Sequence, residues 1–528
     1  MFAQTLDSLR TYMHGDGAVL LPEMELLFFA IGILLMDGWV KHKDKYWNPT
    51  LALAGTIFSA LTLWMLRAQV IQGSDLTGFH ETVIVDSFFL LFAALLLAAT
   101  ALVILLSVNC PAMAGVSPAR YYALLLFACM GLMLTVAGID LLLIFLALEA
   151  AATSSYFLGA SPDFSKKSHP AAVKFLLSGA FGSAILAYGF SLLYGLSGST
   201  NIGHIGSTLS HHNNLAKVIA LSRQGGAPGS QMYQLLQSRL PEAVHWHPFV
   251  IQALPIVAFT FVAFGLVVKL RALPLHSSCR KTNSGPPITV VRYLSGAFVV
   301  ATIALLLRLL LTIFADAQDT WWYVMAVVAM AMLTQGILAS LRETNIERIL
   351  GFSSIAHIGY LLLGFVAANE GALTGIAYYL FTYLFMLTGA FAIVNLVRYK
   401  ASAGEHLHDL DGLYQRSRTG AFLLAIFMLS LAAIPPTAGF LGRYFIVHAL
   451  IETKHPVLAW FAGVSALPLA YSYLRVAAHA WRKTQSETAP ILFGIPESIA
   501  LGACLFVSLA AGLYSEPFTR MARYAFGQ

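Results

Sequence analysis

The sequence predicts an all-α polytopic membrane protein with about 14 transmembrane helices, and three observations predict it. Of its 528 residues, 58% are hydrophobic and only 11% are charged, a balance that soluble globular domains do not show. Apolar runs of about 20 residues, the length needed to cross a bilayer, recur along the whole chain. Two of these runs, one in each half, are interrupted by Pro and Gly and carry a cation. A helix broken at membrane depth persists only where protein or a wet cavity covers its freed backbone groups. Paired interruptions in two halves of one chain point to a transport site.

In order, the apolar runs lie at 19–37, 49–66, 84–107, 120–138, 140–160, 171–195, 249–270, 288–314, 321–341, 348–367, 372–397, 419–451, 457–481 and 491–513. The junction Gly138-Ile139-Asp140 must form a very tight turn. The net charge of +6 is no nucleic-acid signal, because the basic residues sit in short loops between apolar runs. One alternate set of loops, from Lys41, Lys43 and Lys45 through Arg342 and Arg348 to Arg482 and Lys483, holds about twice the Lys and Arg of the other set. That asymmetry, with an even number of spans, predicts both termini on the non-cytoplasmic side of a cell inner (plasma) membrane. The first residues, MFAQTLDSLRTYMHGDG, show no cleavable signal pattern. The four cysteines, Cys110, Cys129, Cys279 and Cys504, form no C-x-x-C pair, so no zinc or iron–sulfur site is expected. One stretch outside the spans, 203–248, reads as two short helices around a Gly-rich turn at 225–229. Its His211, His212, His245 and His247 have no metal-site spacing.

The first broken segment, FVIQALPIVAFTFVAFGLVVKLRALPLH (249–276), places Lys269 within hydrocarbon and runs on towards Gly285-Pro286-Pro287. The second, FLLAIFMLSLAAIPPTAGFLGRYFIVHAL (422–450), is interrupted at Pro435-Pro436 and carries Arg443 beyond the break. A charge inside a span costs a few kcal/mol or more, roughly, and is a functional candidate by default. Lys269 lies about a turn from the end of its run, so a snorkelling amine is the plain alternative. Against it, the chain continues apolar through Pro274 to His276, two helical turns on. An amine and an imidazole can exchange a proton through water. A guanidinium does not deprotonate in proteins, so Arg443 can bias its neighbours but cannot relay a proton.

Three further residues stand out. Glu149 follows more than two apolar turns and precedes a run of small residues, Ala150 to Ser155. It is either one half of a fixed ion pair or a carboxylate that switches protonation near neutral pH. Lys174 opens the sixth run, where snorkelling is common. His357 shares a helical face with Ser353 and Ser354, as a helix–helix hydrogen-bonding group or as part of a polar, watered stripe. Acid and base residues strung through separate spans are the layout of a proton or cation path. No nucleotide loop, flavin motif or metal cluster is present in the sequence, so redox chemistry by the chain alone is not expected.

These residues lie in motifs that resemble the N subunits of proton-translocating NADH–quinone oxidoreductase (respiratory complex I), a branch of the antiporter-like subunit family. The motifs are PEMELLFFAIGILLMDG (22–38), LALEAAATSSYFLGA (146–160), VKFLLSGAFGSAILAYGFSLLYGLSGSTN (173–201), LRETNIERILGFSSIAHIGYLLLG (341–364), LFTYLFMLTGAFAIVNLV (380–397) and LSLAAIPPTAGFLGRYFIVHALI (429–451). The resemblance implies 14 helices with two inverted five-helix repeats, each holding one discontinuous helix. It divides the chain into an N-terminal three-helix segment (1–110), a first repeat with the extended outer loop 203–248 (111–315), a second repeat (316–483) and a C-terminal helix and tail (484–528). It implies a proton path through Glu149, Lys174, Lys269, His276, His357 and Arg443, coupled to electron transfer from NADH to quinone. NADH, FMN, iron–sulfur clusters and quinone are then expected in partner subunits of the membrane and peripheral arms, with no cofactor or metal in this chain and no nucleic-acid partner. Two departures matter. The family's eighth helix carries a second lysine where Val299 stands, the nearest cations being Arg292 and Arg308, and its broken twelfth helix has lysine where Arg443 stands. These departures raise a structural paralogue with impaired pumping as an alternative. A subunit of a related membrane-bound hydrogenase or of a multisubunit cation/proton antiporter is another.

Overall fold

The computed structural model describes residues 16–39, 46–71, 75–108, 117–160, 169–211, 248–272, 294–400, 406–483, 490–491 and 493–527. Helix dominates them. After a single turn at Asp16–Val19, the first half contains α1 (Leu21–Asp37), α2 (Trp47–Val70), α3 (Ser87–Ser107), α4 (Pro118–Ala137), α5 (Leu141–Ala160), α6 (His169–Ser197) and α7 (Pro248–Ala272). A π-helical turn, Leu294–Phe298, leads into α8 (Val299–Thr312). The second half contains α9 (Gln318–Arg342), α10 (Ile346–Ala367), α11 (Glu370–Lys400), α12 (Arg418–Leu431), α13 (Ala438–Glu452), α14 (Pro456–Trp481), α15 (Ile495–Leu513) and α16 (Glu516–Ala525).

Each predicted apolar run overlaps a helix or a helix pair. By length and composition, 11 of the described helices can cross a membrane. The other three runs fall on shorter helices: the 17-residue α1, α8, and the split pair α12 and α13. The helix starts are chemically marked. Asp86 caps α3 by accepting from the Phe89 N–H at 2.7 Å, Asn345 caps α10 through the Arg348 N–H at 3.1 Å, and Pro sits in the first turn of α1, α4 and α14. The end of α9 is closed from outside. Arg475 of α14 donates to the carbonyls of Ser340, Leu341 and Glu343 at 3.3, 3.2 and 2.6 Å, a cation on the negative end of a helix dipole.

The core lies around α10 and α11, in whose apolar windows 94% of residues are buried inside the molecule. A helix that is enclosed on all sides is apolar nearly all round, and every residue of α10 from Ile349 to Ala367 except the partly buried Phe352 is buried, the polar ones being Ser353, Ser354 and His357. The helices α1, α2, α14 and α15 lie at the margin and present Phe28, Trp64, Trp460, Leu467 and Phe506 outwards, as a lipid- or subunit-facing surface requires.

The tight junction at 138–140 has a support that the sequence reading missed. Residues Leu76–Gly78 (β1) and Val83–Val85 (β2) form an antiparallel hairpin in register Leu76↔Val85, Thr77↔Ile84 and Gly78↔Val83. The Ile139 N–H donates to Thr82 O at 2.9 Å, Ile202 N–H to Ile139 O at 2.9 Å, and Leu141 N–H to Thr200 O at 2.8 Å. Thr200 also donates its hydroxyl to the Asp140 carboxylate. The run predicted from 84 therefore begins as strand, and its helix starts at Ser87. Of the loop 203–248, residues 203–211 are helical and Pro248 opens α7; residues 212–247, with His212, His245 and His247, lie outside the described residues.

Candidate functional site

The first group forms where α5 and α7 pack against α6. Lys269 Nζ donates to Glu149 Oε1 at 2.5 Å, with the lysine side chain 3% exposed and the glutamate 27%. Close packing of α6 on α7 brings the two charges within reach. A Cβ on Gly265 would stand 2.8 Å from the Leu186 nitrogen, and one on Gly189 2.8 Å from the Val262 nitrogen. A Cβ on Gly182 would come 3.1 Å from Cγ of Lys269 itself. Only glycine allows the two backbones this approach. Lys269 is thus an internal ion-pair partner, which rules out the snorkelling alternative. The partly exposed side of Glu149 leaves the pair open to charges outside the chain.

The second group gathers at the break. Helix α12 ends at Leu431, residues 432–437 run through a cis Pro435-Pro436 bond, and α13 resumes at Ala438. Breaking the helix frees carbonyls at the end of α12. Arg443, one and a half turns into α13, reaches back and donates from Nη2 to Leu431 O at 2.6 Å. Its Nε donates to the Tyr379 hydroxyl of α11 at 3.1 Å, and its guanidinium lies 4.7 Å over the Tyr360 ring of α10. The arginine therefore closes the broken helix while keeping a permanent charge buried in the core.

From Arg443 a hydrogen-bonded chain continues to His357. Nδ1 of His357 lies 2.5 Å from the Tyr379 hydroxyl, and Nε2 lies 2.7 Å from the Tyr473 hydroxyl of α14. All three side chains are fully buried. A neutral imidazole donates from one nitrogen and accepts at the other. Tyr379 accepts from Arg443, so an arrangement that satisfies both ring nitrogens has Tyr379 donating to Nδ1 and Nε2 donating to Tyr473. The Tyr383 ring stands 5.0 Å from the imidazole. Tyr360 donates to Ala462 O at 2.8 Å.

Sequence reasoning placed some of these residues and not others. Glu149 with Lys269, and His357 with Arg443, meet in two separate groups. Lys174 lies in the second turn of α6, and its side chain is outside the described residues, as is all of His276. Ser353 and Ser354 donate to their own helix, at Leu350 O (2.8 Å) and Gly351 O (2.6 Å), and face Tyr473 and Tyr383 beside His357; the direct hydrogen-bond partners of His357 are tyrosines. Tyr379, Tyr473 and Tyr360 escaped the sequence reading because a tyrosine in an apolar run reads as packing; the available signal was the spacing of Tyr379 and Tyr383, one above the other on one helix face. Val299 is buried at the start of α8. Arg308 is not a substitute for the absent lysine, since it is committed to Asp86 in a bidentate pair at 2.9 and 3.0 Å and lies 4.7 Å over Phe88.

A model of the NADH:quinone oxidoreductase/Mrp antiporter transmembrane family matches residues 138–467. The chain belongs to that family. The matched span of this antiporter-type family contains Glu149, Lys174, Lys269, His276, His357 and Arg443. Among curated relatives, NADH-quinone oxidoreductase subunit N 2 of Solibacter usitatus is 35% identical over 97% of this chain and 98% of its own length. NADH-quinone oxidoreductase subunit N 1 of Koribacter versatilis is 34% identical over 97% and 96%. Among solved structures, a chain of respiratory complex I from Thermus thermophilus superposes with a TM-score of 0.70 at 23% identity, covering 94% of this chain and 98% of that one. A chain of an archaeal membrane-bound sulfane sulfur reductase gives 0.78 at 18% identity, over 97% of both chains. Both likenesses are likenesses of fold over nearly the whole chain.

Proposed function

We propose that this chain is the N-type membrane-arm subunit of an NADH–quinone oxidoreductase, and that it couples electron transfer from NADH to quinone with proton translocation. The observation that carries the reading is the Lys269–Glu149 ion pair, buried on the lysine side and partly open on the glutamate side, in a chain of this family. Such a pair is bistable. Two charges taken out of water are held by one another, and disturbing one alters the proton affinity of the other. A charge shift outside the chain, reaching Glu149 from its open side, changes the pairing and so the readiness of Lys269 to release a proton. Protons then pass through Lys174, Lys269, His276 and His357 towards the far side, with Tyr379 and Tyr473 completing the hydrogen bonds of the histidine. Arg443 holds the broken helix and biases the hydroxyls around it. In this reading the chain has no redox group; NADH, FMN, iron–sulfur clusters and quinone belong to its partners. The division into an N-terminal segment, two repeats and a C-terminal tail at 110, 315 and 483, the fourteen crossings, and termini on the non-cytoplasmic side are parts of the same reading.

The test is to isolate the complex through a tag on this chain, identify its companions, and measure NADH–quinone activity and proton uptake in proteoliposomes. Flavin and iron–sulfur subunits with NADH-driven uptake are expected, as is loss of most uptake in Glu149→Gln. Full pumping in that variant removes the first link of the mechanism, and sodium-dependent exchange without any need for NADH assigns the chain to an antiporter instead.

A second reading, a mainly structural paralogue with impaired pumping, is favoured by one observation. Along α8 the only charged side chain, Arg308, is tied to Asp86, and the break carries arginine in place of a titratable amine. On this reading Val299→Lys with Arg443→Lys raises the number of protons moved per NADH; an unchanged ratio counts against it.

A further inference from the structure

Among the described residues, one cluster of metal-ligating side chains stands apart from both groups above: His408, Asp411 and His479. His479 lies in the last turn of α14 and is buried, Asp411 is half-buried, and His408 is exposed. One ring nitrogen of each histidine and one oxygen of Asp411 all lie within 4.8 Å of one another. Asp411 stands between the rings, with Oδ1 2.8 Å from Nδ1 of His479 and Oδ2 3.5 Å from Nδ1 of His408. The two imidazoles meet edge to face at 5.1 Å. Ligands around a tetrahedral zinc ion, at about 2.0–2.1 Å from the metal, stand roughly 3.3 Å from one another, so three ligand atoms that already lie within 4.8 Å of one another need only a small side-chain movement, chiefly of the exposed His408, to close around an ion.

The backbone beneath these side chains is already organised. His408 lies within a 3-10 turn, Leu407–Leu410, and Asp411 directly follows it; the start of the turn is fixed by Asp409 accepting from the His406 N–H at 2.7 Å. Gly412, with φ of +78°, donates its N–H to Arg482 O at 2.8 Å, which pins this turn to the end of α14. Asp409 is thereby committed to the turn, and Asp411 is the carboxylate that stands between the histidines. The opposing group is Arg482, whose Nη1 lies 3.4 Å from Nδ1 of His479. Its side chain is exposed, so a bound cation displaces it into water.

We propose that His408, Asp411 and His479 form a binding site for a divalent transition-metal cation, with Zn2+ as the ion that two imidazoles and one carboxylate suit best. Water completes the coordination. The bound ion clamps the connection between α11 and α12 to the end of α14. That helix also carries Tyr473, six residues before His479, so occupancy restrains the element that completes the hydrogen bonds of His357. The site is invisible in the sequence, because its ligands come from two distant segments with no motif spacing.

The test uses the full chain purified in detergent, with Zn2+ titrated against a competing chromophoric chelator. The expected result is one equivalent of zinc that is lost, or weakened at least tenfold, in His408→Ala and in Asp411→Asn, and kept in His406→Ala and His448→Ala. His408 is exposed, so its removal leaves the packing intact; matching unfolding midpoints without metal check this. An ion that binds only the folded form raises that midpoint, so saturating Zn2+ is expected to raise it for the unsubstituted chain and not for His408→Ala. Zinc bound equally by His408→Ala, an equal rise in both proteins, or no stoichiometric zinc in the unsubstituted chain overturns the proposal.

Discussion

His357 has both ring nitrogens spent on tyrosine hydroxyls, and this gives the tyrosines different weights. Tyr473 serves the histidine alone among the bonds just described, whereas Tyr379 serves both the histidine and Arg443. Removing the Tyr473 hydroxyl leaves a buried ring nitrogen unpaired, at a cost of about 1–3 kcal/mol. Tyr473→Phe is therefore expected to lower the unfolding midpoint modestly and to slow proton uptake, and Tyr379→Phe to do both more strongly, because it also strips a partner from a buried guanidinium. Thermal unfolding and proteoliposome uptake of the two variants check the order; equal effects refute it. Arg443 shows how a residue can be visible in the sequence and its work not. A cation in a span is easily found. That its Nη2 closes the Leu431 carbonyl at a helix break depends on how α13 folds back against α12.

At the scale of elements, the approach of α6 to α7 sets the Lys269–Glu149 geometry, and three glycines permit it. Gly265→Ala places a methyl 2.8–3.0 Å from the Leu186 backbone and Cβ, so the helices must part. Overpacking of this kind costs about 1–3 kcal/mol. Gly195, in the same helix α6, has nothing within 4 Å of a built Cβ, and Gly195→Ala is expected to be neutral or stabilising by up to about 1 kcal/mol. Unfolding midpoints of the two variants test the contrast, and loss of NADH-driven uptake only in Gly265→Ala ties it to the ion pair. Most helices were legible, since a 20-residue apolar run carries its own signal. The hairpin at 76–85 was not: three-residue strands have no periodicity to detect, and their role, to receive Ile139 and its neighbours, exists only after the chain has returned from elsewhere.

At the scale of the whole molecule, two enclosed helices, α10 and α11, are ringed by helices with apolar outer faces. Charge in the loops then orients this bundle in the membrane. The Lys- and Arg-rich connections, with Arg342, Arg348, Arg416 and Arg482 among them, are expected on the cytoplasmic side and the termini opposite. A phosphatase fused after residue 528 is therefore expected to be active and a fluorescent protein there dark; the reverse pattern inverts the topology and with it the direction of the proton path.

The sequence by itself determined the class of fold, the helix positions, the break at Pro435-Pro436 and the charged residues within spans, because each is a local consequence of composition, hydrophobic run length or proline chemistry. The family, too, was legible in its motifs. Only the tertiary structure decided which charges meet. Glu149 and Lys269 lie 120 positions apart, and His357 and Tyr473 lie 116 apart. No periodicity spans such a distance, so the pairing of Lys269 and the tyrosine partners of His357 follow from helix packing alone.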